Sequence, residues 1–418
     1  MTRLVDDCFA LSSEMISAAT ALRQIGRAVR RVTEPEICPL GAAGGRILAV
    51  DVMSPRQVPP ADNAAVDGYA FAYADYKAAP ELPRAVVGRS AAGQPYAGEI
   101  TPDSLVKILT GAVMPEGFDS VAMIEDIRSQ DDKIILPIGL KSGANCRKAG
   151  EDIKQGQLLL EKGTYLRPQE IGYLASVGMV SVSVYRQIRV ALFSTGDELV
   201  NPGDPAFDSS IYDSNRFILS ALLRSFGCKV TDLGILNDKL DIVRPALLDA
   251  ARDHDLVITS GGVSMGDEDH VKAAVQEIGQ LHFWRIAIKP GRPLALGQID
   301  NTAFVGLPGN PIAALVCCLK FIRPLILRLA GRTEDAPLSY QARAAFTMGK
   351  KPDRTKWLRV RYSPKDNAVG TVEKFPTDGS GILSSAVWAN GLVELGDAVT
   401  QINEGDLVTF LPFSELMR

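Results

Sequence analysis

Leu256-Val-Ile-Thr-Ser260-Gly-Gly-Val-Ser264-Met-Gly-Asp-Glu-Asp269 is the stretch whose reading decides the fold. It begins as a short, β-branched apolar run, the pattern of a strand covered on both faces. The glycines that follow, at 261, 262 and 266, let the backbone turn its N–H groups outward as a cradle for an anion, and the acids from Asp267 to Asp269 can hold a cation beside it. Taken alone, Gly261-Gly262 is explained as well by a tight strand-to-helix turn. The same plan recurs in Val190-Ala-Leu-Phe-Ser-Thr-Gly-Asp-Glu198, in Ile286-Ala-Ile-Lys289-Pro-Gly-Arg292-Pro and in Phe304-Val-Gly-Leu-Pro308-Gly-Asn-Pro311. Each is an apolar run ending in a glycine turn with polar residues, and these segments are expected to flank the first.

Working outward, residues 189–331 alternate strand and helix. Asp213 or Ser214 can cap a helix running to Phe226, with Gly227 as its stop; a strand follows at 230–233, a helix at 240–252, the strand at 256–259, and a last helix from Pro311 through Leu329. Such alternation predicts a mainly parallel sheet with helices on both faces and ligands at the C-terminal strand ends. The predicted fold class is therefore α/β combined with β domains. A central α/β domain at 188–331 is joined by an N-terminal helical and linker part at 1–55 plus 140–187, a small β insert at 56–139 and a C-terminal β domain at 335–418.

Apolar spacing over Met15, Ala18, Ala19, Leu22, Ile25 and Val29 predicts an opening helix from about Ser12 to Arg31, and a second helix is predicted over 168–177. The two are expected to pack together around the insert. Pro55, Pro59 and Pro60 mark a linker, and short apolar runs punctuated by Gly, Pro and Asp turns give the insert its β character.

Composition narrows the function. With 418 residues, 46% of them hydrophobic, the chain can build several cores. The 45 basic residues are scattered among 49 acidic ones for a net charge of −4, which leaves no nucleic-acid footprint. No apolar run approaches the ~18 residues that cross a membrane, and a basic-then-apolar leader is missing, so a soluble cytoplasmic chain is expected. The six cysteines form no Cys-x-x-Cys pair and have no nearby histidine, so buried reduced thiols are expected rather than a zinc site. Only three histidines occur; His254 and His282 read as structural, and His270, next to Asp269, can approach the glycine turn.

Neither a Walker A loop nor a Gly-x-Gly-x-x-Gly turn is present, so a phosphate would rest on Gly261-Gly262 instead. Asp197 and Glu198 supply two acids at one strand end. Asp238 either joins them or only caps the next helix. Lys289 and Arg292 straddle Pro290-Gly291, and cations fixed between prolines suit a compact oxyanion, although solvated surface charge is the alternative. Asp67 beside Gly68 is a turn acid or a functional one. Asp378-Gly-Ser380-Gly-Ile-Leu-Ser-Ser385 is a hydroxyl-rich turn able to hydrogen-bond an anion.

Together with Asn63-Ala-Ala-Val-Asp67-Gly-Tyr-Ala-Phe71, Thr110-Gly-Ala-Val-Met-Pro-Glu-Gly117 and Gly150-Glu-Asp152-Ile153, these motifs resemble the molybdopterin molybdenumtransferases, the MoeA and gephyrin E-domain class, over nearly the whole chain. The resemblance implies an elongated four-part subunit that dimerises so that the small domains of one chain complete a cleft on the other. It implies Mg²⁺-dependent insertion of molybdate into adenylated molybdopterin with release of AMP, and transient contact with the adenylyltransferase before it and the cofactor-accepting enzymes after it. By resemblance, catalytic roles fall on Asp67, Thr110, Asp152, Glu198 and Asp269, and metal binding on Glu198, Asp238 and Asp269. Substrate binding falls on Gly261, Gly262, Ser264, Lys289, Arg292, Pro308, Gly309, Arg354 and Ser380. Two positions depart from the pattern: Arg292 stands where a second Lys is common, and Ala313 where a Ser is frequent, which implies weaker oxyanion binding. A molybdopterin adenylyltransferase, whose fold resembles the central domain, and a gephyrin-like scaffold are the competing readings. The β segments argue against the first, and the lack of a long linker against the second.

Overall fold

The strand that begins the deciding stretch, Leu256–Ser260, lies inside a six-stranded sheet. The computed structural model describes residues 15–262, 270–291, 293–332, 336–366 and 368–417. Lys229–Leu236, Arg189–Thr195, Leu256–Ser260 and Thr302–Leu307 run parallel in that order, and Pro293–Ile299 and Gly279–Arg285 complete the sheet antiparallel. The sheet is mainly parallel, as the alternation predicts. Asp213 rather than Ser214 makes the cap on Asn215–Ser225: its carboxylate accepts from Arg216 N at 3.1 Å.

Residue parity along the strands assigns the two faces. Val190, Leu192, Leu256, Ile258 and Val305 share one core with helices Asn215–Ser225, Pro311–Cys317 and Arg323–Ala330. Ala191, Phe193, Val257 and Phe304 share the other with Leu240–Asp253 and His270–Ile278. The helix that starts at Pro311 widens into a π turn at Cys318–Ile322 and ends on Gly331 at φ 90°. Cys317 and Cys318 are buried there as free thiols, and burial pushes the Cys317 thiol up to about 12.

The first helix departs from expectation. It spans Ala18–Ala28, shorter than predicted, because Ile16 is drawn into a β-bridge with Ile286 and Val29 is already extended. Its buried face, Ala18, Ala21 and Ile25, packs into the central core beside Arg323–Ala330, not against Pro168–Ser176. The latter helix instead closes a small core with the paired strands Pro35–Pro39 and Ser181–Tyr185. The insert is a four-stranded sheet ordered Val86–Ser90, Leu105–Ile108, Gly68–Phe71 and Ser120–Met123.

At the other end, Thr355–Lys365, Ala368–Lys374, Tyr340–Ala344, Leu407–Pro412 and Gly391–Leu395 form a small closed barrel, since the last strand pairs back to the first. A two-residue strand from the central part, Ile288–Lys289, adds to it by pairing parallel with Thr355 and Lys356. No helix among the described residues is long and apolar enough to cross a membrane.

Candidate active site

At the end of Leu256–Ser260 the backbone turns through Gly261 and Gly262, at φ 87° and 65°, and Gly261 N donates to Leu307 O at 3.1 Å. A side chain is excluded at both. A Cβ on Gly261 would lie 2.4 Å from Thr195 O, and one on Gly262 would lie 2.4 Å from Thr195 Oγ1 and 2.6 Å from Val271 Cγ2. The turn is therefore pressed against the end of the neighbouring strand. Ser264, Asp269 and Arg292 lie outside the described residues.

Around this turn, buried polar atoms lack partners among the described residues: Ser194 Oγ, Thr195 Oγ1, Asn215 Oδ1 and Asp238 Oδ1. Each is a group that folding normally satisfies, and their gathering at one end of one sheet is the mark of a ligand surface. The Asn215 amide N donates to Ser260 Oγ at 2.8 Å and to Gly309 O at 2.7 Å, so it ties the Gly-Gly turn to the Pro308-Gly309 turn. Ile312 N, at the start of the next helix, donates to Ser380 O at 3.0 Å, which brings the hydroxyl-rich C-terminal turn to the same place.

The acids divide by environment. Glu198 is exposed, and its carboxylate stands over Gly196, where a Cβ would lie 2.7 Å from Glu198 Oε2. Asp238 is half-buried and does not cap the helix Leu240–Asp253, whose N-cap is Lys239. Burial pushes the Asp238 carboxyl above its usual range, helped by the charge of Asp197 and opposed by His270. Such a carboxylate gains from a nearby cation.

Lys289 is exposed on its short strand, and Arg354 is half-buried with its carbonyl accepting from Lys350 Nζ at 2.7 Å. Asp67, Thr110 and Asp152 lie apart from this cluster, on the insert and its root. The Asp67 carboxylate accepts from both the Thr110 hydroxyl and the Thr110 N–H at 2.7 Å, and these bonds hold it below the usual carboxylate range. Asp152 is exposed beside the crossing of 58 and 153, its N–H donating to Val58 O at 3.1 Å. The sequence reading missed Ser194, where a polar residue closes an apolar run, and Asn215, which follows Asp213 and Ser214 at the start of a helix. It also missed buried Arg359, which bonds Ser385 Oγ and the carbonyls of Thr377 and Gly379 beneath the Ser380 turn.

Fold and site together define a multidomain α/β protein with a glycine turn and buried polar groups at the strand ends of its central sheet. Three family models match in chain order: the MoeA N-terminal region (domains I and II) at 16–178, a probable molybdopterin binding domain at 191–328, and the MoeA C-terminal region (domain IV) at 341–413. A molybdopterin molybdenumtransferase of Haemophilus influenzae is 40% identical over 92% of this chain and 95% of its own, and one of Bacillus subtilis is 34% identical over 94% of each. The molybdopterin biosynthesis moeA protein of Pyrococcus horikoshii superposes with a TM-score of 0.82 at 28% identity, covering 96% of this chain and all of that one. The chain belongs to the molybdopterin molybdenumtransferase family, whose members are transferases.

Proposed function

We infer that this chain inserts molybdenum into molybdopterin as a step of molybdenum cofactor biosynthesis, with molybdate and adenylated molybdopterin as substrates and AMP as the second product. The observation that carries the reading is the glycine turn at 261 and 262, with no room for a side chain and partnerless buried polar atoms around it, inside the molybdopterin-binding part. The Gly262 N–H of that turn is the one left to hold phosphate, since Gly261 N donates to Leu307 O. Lys289 and Arg292, together with the Pro308-Gly309 turn and Ser380, hold the oxyanion and offset its charge. Arg354 adds a cation at the rim.

Asp238 fits a cation, being half-buried with one oxygen unpartnered and pushed toward protonation by burial. Glu198, Asp238 and Asp269 would hold Mg²⁺, whose chemistry when bound is to lower the charge cost of cleaving the phosphoanhydride. Asp67 stays ionised because Thr110 supplies two hydrogen bonds to it, so it presents a fixed negative charge with an adjoining hydroxyl. Its place on the insert, with Asp152 nearby on the root, suits a homodimer in which these residues face the glycine turn of the other chain. A cytoplasmic setting, with hand-over from the adenylyltransferase and on to molybdoenzymes, completes the proposal.

The test is AMP release from adenylated molybdopterin with Mg²⁺, with and without molybdate. Molybdate-dependent release is expected, and Asp67→Asn or Asp269→Asn should abolish it in a protein that still folds. Release that ignores molybdate, or AMP-adduct formation from ATP and molybdopterin, refutes the reading.

A further inference from the structure

Ser194 and Ser260 are register partners on adjacent parallel strands, so their side chains stand side by side on one face of the central sheet. That face is the one capped by Asn215–Ser225, and Asn215 completes the group by donating to Ser260 Oγ. The orientation of the Asn215 amide is fixed by chemistry: its second bond is to the carbonyl of Gly309, which can only accept, so the nitrogen must face it. Among the described residues the carboxamide oxygen is left as a buried acceptor without a donor, and the Ser194 hydroxyl, next to Ser260 in register, has no partner either. Asn215 is 8% exposed and Ser194 is fully buried.

An acceptor of this kind selects its ligand. A carboxamide oxygen has no proton to give, so it repels the oxygens of molybdate or phosphate and is satisfied only by a donor, N–H or O–H. A serine hydroxyl both gives and accepts. A carboxamide oxygen beside a hydroxyl therefore complements a heterocycle edge that carries an amino group and a ring N–H next to a carbonyl, which is the edge of a pterin.

We propose that Asn215 and Ser194 form the subsite that reads the 2-amino-4-oxo edge of the pterin ring, on the opposite face of the sheet from Thr195. This rests on the transferase reading and deepens it. Thr195 follows Ser194 and so points the other way, under Gly262, which leaves it to the phosphate turn.

Ser194→Ala provides the test, because deleting a partnerless buried hydroxyl should leave the unliganded melting temperature unchanged or raise it. Molybdopterin affinity should fall by about five- to tenfold, the size of one neutral hydrogen bond, while AMP and molybdate affinities stay as they were. In the unaltered protein, a simple pterin should compete with molybdopterin and its 2-oxo counterpart, lumazine, should not, since a carbonyl there meets the Asn215 oxygen. Equal competition by pterin and lumazine overturns the assignment, as does unchanged molybdopterin affinity in Ser194→Ala or a loss confined to AMP or molybdate. Molybdate-dependent AMP release by the unaltered protein is measured alongside, so failure of the transferase reading is seen separately.

Discussion

The end of the central sheet and the 377–385 turn of the C-terminal barrel meet through the hydrogen bond from Ile312 N to Ser380 O, yet they are built on opposite plans. In the barrel, buried charge is answered by protein. Arg359 bonds a hydroxyl and two carbonyls, Lys356 holds Asp378 at 2.6 Å, and Lys350 is ringed by the carbonyls of residues 351, 354 and 397. At the sheet end, four buried polar atoms are left without partners among the described residues. Leaving such a group unsatisfied costs roughly 1–3 kcal/mol, so a stable chain concentrates such groups where something else will satisfy them. The barrel positions a turn; the sheet end waits for a substrate.

The sharpest way to break this contrast is to fill the cradle. Gly262→Ala should depress AMP release by about 100-fold or more and lower the melting temperature, because the new methyl meets Thr195 and Val271 at positive φ. Gly309→Ala is the matched control for melting temperature alone, since nothing lies within 4 Å of its Cβ position. Near wild-type melting for Gly262→Ala would show that the turn is not pressed against its neighbour strand.

A smaller effect is expected in the barrel. Arg359→Met removes the hydrogen bonds that hold 377–385 and should lose about 3 kcal/mol in urea unfolding. Ser194→Ala should lose nothing in the same measurement. Equal losses would erase the distinction between the two regions.

The smallest effect is one of pH. Burial tends to raise the Asp378 carboxyl, but Lys356 and Lys374 outweigh it and hold the group below its ordinary value of 3.8. Its contribution to stability is therefore fully present above 3.8 and is lost as pH falls through the lower folded value. Comparing unfolding at about pH 5 and about pH 3 should show this loss shrinking in Lys356→Met; an unchanged acid dependence would show that the pair does not anchor the turn.

Periodicity made the central layers legible, because strands such as Arg189–Thr195 and Leu256–Ser260 hold continuous apolar runs and helices carry a cap or stop such as Asp213 or Gly331. The glycine turn was legible for the same reason. The partnering of Asp67 with Thr110 was not, since the two are 43 residues apart and only the sheet brings them together; the resemblance alone singled them out. Asp238 read equally well as a helix cap, so its metal role rested on the resemblance, and Asn215 went unread because Asp213 and Ser214 beside it were the capping candidates. The first helix gave away its length and apolar face but not its partner, which Ile16 sets by bridging to Ile286, some 270 residues on.

Ile288–Lys289 bears on how the chain could have been assembled. Severing the protein between 331 and 340 would strip this strand of the partner it has in Thr355 and Lys356, and would uncover Trp357, Leu392 and Leu411, which are buried in the central core. The barrel is thus no detachable module appended to a finished enzyme. A gene fission or a domain shuffled from a relative would have to bring residues 286–289 along with it, so the two parts are constrained to be inherited together.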